Sequence, residues 1–264
     1  MYNTSLISSF SLMFFNCSSL TSLDVSNFDT SSVTMMDLMF WNCHSLTMLD
    51  VSKFNTTLTQ SFAVMFYNCS SLTSLDVSNF DTSSVTSMLR MFDNCYNLTS
   101  LNMSKFNTTS TKSFNKMLYN CYNLNSLDIL NFDTSSLTDM EYMFSDCKKI
   151  KYLNLSNFYT ENVERMNYLF AGCENLKSID IPNLVTTNCN YLYGIFIDCT
   201  DLEYINIKNY KGTDIFDSIP NNNNLTICLE EDNIPESLQK RKVKNICSNN
   251  NSTNIITFLK TTLF

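Results

Sequence analysis

The sequence is poor in glycine, proline, histidine and tryptophan. Its 264 residues include 3 Gly, 3 Pro, 1 His and 1 Trp, although globular chains contain about 7% glycine. The glycines at positions 172, 194 and 212 form neither a GxxxxGK[ST] phosphate loop nor a GxGxxG turn, both of which need close backbone approach. The single His44 leaves no partner for a multi-histidine metal site or a catalytic triad. We therefore predict no catalytic residues, no cofactor and no metal site, and a protein that is not an enzyme.

Clustered positive charge and long apolar runs are also lacking. The net charge is −8 and the pI is near 4.6, whereas binding to nucleic-acid phosphates needs clustered Lys and Arg. No apolar stretch approaches the roughly 20 residues of a membrane-spanning helix, and residues 1–4 lack the basic start of a signal peptide. The hydrophobic fraction of 44% is nevertheless enough for a substantial core. We predict a folded protein with no nucleic-acid partner and no membrane insertion in this segment.

Cysteine is present in excess, and its spacing reveals a repeat. Eight of the 11 cysteines are each 26 residues apart, at Cys17, Cys43, Cys69, Cys95, Cys121, Cys147, Cys173 and Cys199. The unit reads M-F-x-N-C-x-x-L-x-x-L-D-x-S-x-F-x-T, and fixed periods of this size are typical of solenoids. We predict a solenoid of about eight units over residues 1–212, the first one truncated, followed by a C-terminal cap and tail over residues 213–264.

Each unit contains two hydrophobic periods. Between Thr21 and Ser26 the apolar residues alternate with polar ones, which predicts a strand. Val33, Met36 and Phe40 follow helical spacing, and Thr30 or Ser31 precedes them as a candidate cap. The sequence thus predicts a leucine-rich-repeat-like solenoid with a parallel β-sheet on one face and short helical or 3₁₀ segments on the other.

The outward strand positions are the candidate partner-binding face. Asp24, Asp50 and Asp76 form an uninterrupted acidic column, which we interpret as a solvated stripe in preference to a ladder of bound cations. Towards the C-terminus the face becomes richer in tyrosine, a residue enriched in interface hot spots. We predict partner contacts at Asp24, Asp50, Asp76, Tyr152, Lys177 and Tyr204, the alternative being an unoccupied, solvated sheet.

The segment MFYNCSSLTSLDVSNFDTSSVTSM, residues 65–88, resembles the 26-residue repeat of the BspA-like leucine-rich-repeat surface proteins. The resemblance spans about residues 2–212. It implies a right-handed leucine-rich solenoid at the cell surface or outside the cell, used for adhesion to host or matrix proteins. Bacterial members often carry Gly before the repeat cysteine, where this chain has Asn in most units. We expect asparagines at corners such as Asn16 and Asn27 to take the left-handed conformation in place of Gly.

The resemblance and the repeat favour a secreted or cell-surface protein-binding module with a protein ligand. A passive stalk or spacer within a longer surface protein is the alternative. Because residues 2–6 align with residues 54–58, the chain begins inside a unit. We therefore expect a longer protein with a signal peptide and further repeats upstream.

The cysteines of the chain divide into two groups. We interpret the eight repeat cysteines, and Cys189, as buried and unpaired, because free Cys packs as a small hydrophobe. If the protein is extracellular, a disulfide between Cys228 and Cys247 would close the C-terminal cap. Two unpaired thiols in a frayed tail are the alternative.

Overall fold

The computed structural model describes residues 4–212, 215–220 and 225–229, together with the backbone of residues 245–246. The chain winds into stacked coils, and paired residues in neighbouring coils are 26 positions apart, as in Ser74 with Ser100 and Tyr152 with Ser178. The predicted repeat solenoid of about eight coils, with a parallel sheet on one face, is confirmed.

The sheet face is built from short parallel strands. They are β1 (Ser22–Leu23), β2 (Met48–Leu49), β3 (Ser74–Asp76), β4 (Ser100–Asn102), β5 (Tyr152–Asn154), β6 (Ser178–Asp180), β7 (Tyr204–Asn206), β8 (Thr226–Cys228) and β9 (Asn245–Ile246). They pair as β1-β2, β3-β4 and β5-β6-β7-β8-β9. Each is shorter than the six-residue strand that the alternation predicts, so the sheet is a narrow ribbon along the stack.

The ribbon is interrupted in the fifth coil. Residues 126–128, which the repeat aligns with the other strands, form no strand. Leu130 replaces the serine that lies two residues after the column aspartate or asparagine in the first four coils and in the sixth, and its N–H lies 3.4 Å from Oδ1 of Asp128. The same bond measures 2.9 Å at Ser26 and 2.8 Å at Ser52. The weaker turn after residue 128 accompanies the loss of the strand.

The other face consists of hydrogen-bonded turns rather than the helical segments that the spacing predicts. The N–H of Cys43 donates to the carbonyl of Phe40, three residues back, and other donors reach the next coil, as Phe40 does to Met65. Beside these turns, a second column of parallel β-bridges runs from coil to coil. Successive three-residue turns therefore reproduce helical spacing in the sequence. Among the described residues the only helix is a 3₁₀ turn, η1 (Phe216–Ser218).

Two residues in every coil have left-handed backbone. One directly precedes the repeat cysteine, as at Asn16 (φ 58°) and Asn68 (φ 55°), and the other lies four residues earlier. Gly172 holds the same place as these asparagines with φ 72°, so the predicted exchange of Gly for Asn at this corner is confirmed. The expectation for Asn27 is wrong, because it is not among the left-handed residues. Neighbouring corner asparagines also bond to each other through their amides.

Stacked phenylalanines form the centre of the core. The rings of Phe40 and Phe66 stack at 5.5 Å between centroids, and those of Phe66 and Phe92 at 5.6 Å. A second run passes through Phe144 and Phe170. Offset stacking of this kind adds to the free energy of burial. The aliphatic column that begins at half-buried Leu23 is buried from the second coil onwards except at Leu127, which is partly buried.

A buried column of threonines links the coils, which the sequence analysis missed. Thr30, named above as a candidate cap, instead donates its hydroxyl to the carbonyl of Asn55 at 2.9 Å and accepts the Asn55 N–H. Thr82 and Thr108 make the same pair of bonds to the coil that follows. Ser31 bonds only to Asp29 beside it. Each threonine hydroxyl thus bonds to the N–H and the carbonyl of one residue in the next coil, in the place of a backbone partner.

The sheet continues past the predicted end of the solenoid. Strand β8 pairs in parallel with β7, so Ile227 lies beside Ile205. The segment that we assigned to a cap therefore adds rungs to the ribbon. The boundary at residue 212 stays a prediction.

Candidate binding face

A groove runs across the first three coils on the strand face. Its volume is about 640 Å³, and it is shallow and open to solvent. The strand backbone at Leu23, Leu49 and Leu75 forms its floor, because the side chains of Leu49 and Leu75 are buried in the core, and Ser22 and Ser74 also line it. The structure thus places Met48 and the predicted acidic column together on one open stretch of the strand face.

Met48 is the most unusual side chain in the groove. Serine occupies the same strand position in β1, β3 and β4, whereas Met48 leaves 74% of its surface exposed. Methionine adapts its shape to irregular partners, and exposed apolar surface of this kind marks interaction sites when it is part of a patch. Met48 belongs to the outward strand positions predicted from the repeat, but it was not among the predicted site residues. The signal that could have found it is a large apolar residue in a column of serines.

The three groove aspartates are held as carboxylates. The hydroxyl and the backbone N–H of Ser26 lower the pKa of Asp24, and those of Ser52 lower the pKa of Asp50. At Asp76 the backbone N–H of Ser78 lowers the pKa most, and its hydroxyl adds to the effect. These bonds also fix the direction of each side chain.

Like charges on neighbouring rungs repel each other. The charge of Asp50 raises the pKa of Asp24, against the larger serine effect. Parallel strands are about 4.8 Å apart, so carboxylates on neighbouring rungs are close enough to repel each other. Lys53 and Lys105 oppose this at Asp50 and Asp76. The acidic column therefore carries an unfavourable charge interaction that a cationic group would relieve.

The acidic column ends where the groove ends. Asn102 takes the aspartate position in the fourth coil, and it accepts the Ser104 N–H at 3.2 Å, so the turn is kept without the charge. Asp128 restores the charge in the fifth coil, where it is exposed and outside the groove.

The tyrosine-rich positions lie together on the C-terminal part of the sheet. Tyr152 and Tyr204 flank Ser178 in register, and Ser178 is buried between them. Lys177 forms an ion pair with Glu203, with 3.3 Å between Nζ and Oε1. Burial raises the pKa of Tyr204 to about 12. The Tyr204 hydroxyl oxygen is itself buried, so it presents less surface to a partner than the sequence suggested.

The two predicted groups are not brought into one site. Asp24, Asp50 and Asp76 belong to the sheet fragments β1-β2 and β3-β4, whereas the tyrosines and Lys177 belong to the fragment that starts at β5. The strandless fifth coil lies between them. They are two separate regions of one face.

A polar network on the turn face was also missed by the sequence analysis. Glu141, which is nearly buried, accepts bonds from Arg165 Nη2 and Asn167 Nδ2, each at 2.7 Å. The Arg165 guanidinium in turn lies 4.4 Å from the ring centre of Tyr191. The members are 24 to 26 residues apart, so their proximity follows only from the stacking of coils.

The repeat cysteines are packing residues, and the prediction of buried, unpaired thiols is confirmed except at Cys17 and Cys189, which are only half-buried. All eight, and Cys189, are free thiols. The Cys69 Sγ donates to the carbonyl of Phe40 at 3.2 Å, and the other buried repeat cysteines make the same bond 29 residues back. Burial raises the pKa of the Cys69 thiol well above its ordinary value. Such thiols are poor nucleophiles and poor metal ligands.

Cys228 is disulfide-bonded. Its predicted partner, Cys247, lies outside the described residues, so the pairing stays a prediction. In the part of the chain that the structure describes, no three His, Cys, Asp or Glu side chains are grouped so as to hold a metal ion. Over the same residues, no helix has the length and apolarity needed to cross a membrane.

Comparisons with known proteins identify one family. The family model described as "Mycoplasma protein of unknown function, DUF285" matches residues 1–99, 72–154 and 124–219. Among solved structures, a leucine-rich repeat protein from Bacteroides ovatus is 15% identical, with a TM-score of 0.32, over 84% of this chain and 72% of that one. No curated protein matches.

Proposed function

The chain belongs to the DUF285 family, and on that premise we propose that it is a protein-binding module that recognises another protein through its strand face. The observation that carries this proposal is the groove of coils one to three. It combines the exposed Met48 with three carboxylates held by serine hydrogen bonds on successive parallel strands. A preorganised surface of this kind loses little side-chain entropy when a partner binds.

The proposed role is non-enzymatic. The charged groups of the groove are carboxylates whose pKa values are lowered, so they hold no proton to donate near neutral pH. No nucleophile paired with a base lies among the groove residues. Recognition, rather than chemistry, is the activity that this arrangement supports.

The proposed location is the cell surface or the extracellular space, with adhesion to host or matrix proteins as the biological role. The resemblance of residues 65–88 to the BspA-like repeat supports it. The disulfide at Cys228 supports it too, because such bonds persist in oxidising compartments. The buried thiols of the repeat are shielded from oxidation by the core that surrounds them.

A capture experiment with matched variants tests the proposal. The recombinant chain would be immobilised and exposed to a preparation of cell-surface and matrix proteins, and the bound proteins identified by mass spectrometry. Ser74→Arg with Ser100→Arg places two long side chains on the strand face, and His44→Arg places one at an exposed turn position.

We expect the wild type and His44→Arg to retain the same partner and the strand-face variant to lose it. Retention of the partner by all three proteins would contradict the proposal. Capture of no partner by the wild type would favour the passive stalk.

A further inference from the structure

The groove of coils one to three has a composition that selects one class of partner. We infer that it takes an extended, positively charged segment of another protein, with Lys or Arg side chains on Asp24 and Asp76 and an apolar side chain on Met48. This inference rests on the proposed function and adds the chemical class of the partner.

Charge complementarity is the first argument. Residues 4–81 contain six aspartates and a single lysine, Lys53, with no arginine. Three of those aspartates line the groove, and serine hydrogen bonds keep them ionised. A cationic partner relieves the repulsion between the carboxylates of neighbouring rungs. A neutral partner leaves this repulsion unchanged, and an acidic partner adds to it.

The exposed Met48 distinguishes a peptide segment from a bare cation. At each aspartate Oδ1 already accepts the N–H of the serine two residues on. What remains for a partner is a set of separate, outward carboxylate oxygens, which suits the single-point bonds of ammonium and guanidinium groups. Met48, exposed between the outer rungs, then requires a partner that carries an apolar side chain beside its charges.

The rung spacing sets the pattern of the charges. Asp24 and Asp76 are two rungs apart, which corresponds to about 9.6 Å. A polyproline II helix has three residues per turn and advances about 9.3 Å per turn, so residues i and i+3 lie on the same side. Basic residues three positions apart, with an apolar residue between them, therefore match the groove.

The groove can be altered without loss of the fold. Asn102 and Asn154 occupy the aspartate column in other coils and accept the N–H of Ser104 and Ser156. Asparagine at positions 24, 50 and 76 should therefore keep each turn and remove only the charge. Met48→Ser installs the residue that its column has in β1, β3 and β4.

The chain also offers matched controls. Asp128 belongs to the same column but lies outside the groove. Met35 is the second exposed methionine of the coil, at 47%, and it stands in a bridge column that has serine in the coils on either side. Asp128→Asn and Met35→Ser therefore repeat both substitutions elsewhere on the molecule.

The test is fluorescence anisotropy with a labelled proline-rich peptide that carries Lys at positions i and i+3 around one Leu. Circular dichroism and the urea midpoint of each variant verify folding. We expect Asp24→Asn/Asp50→Asn/Asp76→Asn to weaken binding at least tenfold and Met48→Ser severalfold. Asp128→Asn and Met35→Ser should bind the peptide within twofold of the wild type.

The peptide and the salt concentration provide further controls. A peptide with Glu in place of Lys should not bind, and one with Lys at i and i+2 should bind more weakly. Added salt should weaken the complex.

Equal binding by the wild type and the triple asparagine variant would overturn the inference, as would failure of the wild type to bind any of the cationic peptides. The inference would also be overturned if spermine or Mg²⁺ competed with an affinity equal to that of the peptide and Met48→Ser did not change this competition. If the capture experiment returns a strand-face partner whose contact segment is neutral or acidic, this inference fails and the proposed function stands. If capture fails as well, both fail.

Discussion

The Thr82 hydroxyl accepts the N–H of Asn107 at 2.7 Å and donates to the carbonyl of the same residue at 2.8 Å. One side chain thus satisfies both backbone groups of a residue in the next coil. The same arrangement recurs at Thr30, Thr108, Thr134 and Thr160. The coils are held together at this column by buried hydroxyls rather than by strand pairing.

Removal of this hydroxyl should destabilise the solenoid. Thr82→Val keeps the shape of the side chain but leaves the N–H and carbonyl of Asn107 unpaired. We expect a loss of about 1 to 3 kcal/mol in the free energy of unfolding, measured by urea denaturation. Thr82→Ser keeps the hydroxyl and removes a methyl group, so it should cost less, about 1 kcal/mol. A larger loss for Thr82→Ser than for Thr82→Val would show that the methyl contact, not the pair of hydrogen bonds, stabilises this position.

The left-handed corner before each cysteine gives a second prediction. Asn68 has φ 55° and donates its side-chain amide to Asn42. Asn68→Gly retains the easy left-handed backbone and loses only the amide bond, whereas Asn68→Ala also suffers the steric cost of a Cβ at positive φ. We expect Ala to be less stable than Gly by about 1 kcal/mol in thermal and urea unfolding. Equal stability of the two variants would contradict a left-handed backbone as the reason for Asn at this corner.

Asp93 makes stability depend on pH. It stands in a column occupied by Tyr67 and Tyr119 in the adjacent coils, is almost fully buried, and its Oδ1 has no hydrogen-bond partner. Burial raises its pKa to about 7, although Arg90 and Lys116 oppose the shift. An acid whose folded pKa exceeds its unfolded value of about 3.9 binds more protons when folded. Its contribution is therefore favourable below about pH 4 and is lost as the pH rises to about 7.

The asparagine variant isolates that contribution. Asp93→Asn should be more stable than the wild type at pH 8, by about 2 to 4 kcal/mol, and the difference should shrink towards pH 4. Urea denaturation across this range measures it, with Asp128→Asn as a matched substitution at an exposed position. A constant difference between Asp93→Asn and the wild type over the whole range would contradict the assignment.

The cysteines should separate into three reactivity groups. Cys121 and Cys173 are buried, and burial raises their thiol pKa well above the ordinary value. Iodoacetamide at pH 8 should leave them unmodified in the native protein, while half-buried Cys17 reacts. Cys228 should react only after reduction. Peptide mapping by mass spectrometry gives the result, and rapid native alkylation of Cys121 would contradict a packed thiol column.

The repeat, the parallel sheet and the buried cysteine column could be predicted from the sequence because each depends on a fixed period. The turn face could not be predicted correctly, because the spacing of Val33, Met36 and Phe40 is common to a helix and to successive three-residue turns. The threonine column was missed for a related reason. Thr30 beside Ser31 resembles a local cap, and only the stacked coils show that its partner is 25 residues away.

The candidate site shows the same limit. Asp24, Asp50 and Asp76 could be placed in one column from the period alone. The groove above Leu49, the exposure of Met48 and the burial of the Tyr204 hydroxyl depend on how neighbouring coils shield one another. A single strand's alternation contains no information on that shielding.

Photo-cross-linking from two positions of one coil tests the central claim most directly. A benzophenone amino acid would replace Met48 on the strand face or Met35 on the turn face, since both side chains are exposed. The chain would then be irradiated with the same surface and matrix protein preparation. The account predicts a discrete cross-linked partner from position 48 and none from position 35. A partner captured equally from both positions, or only from position 35, would contradict recognition through the strand face.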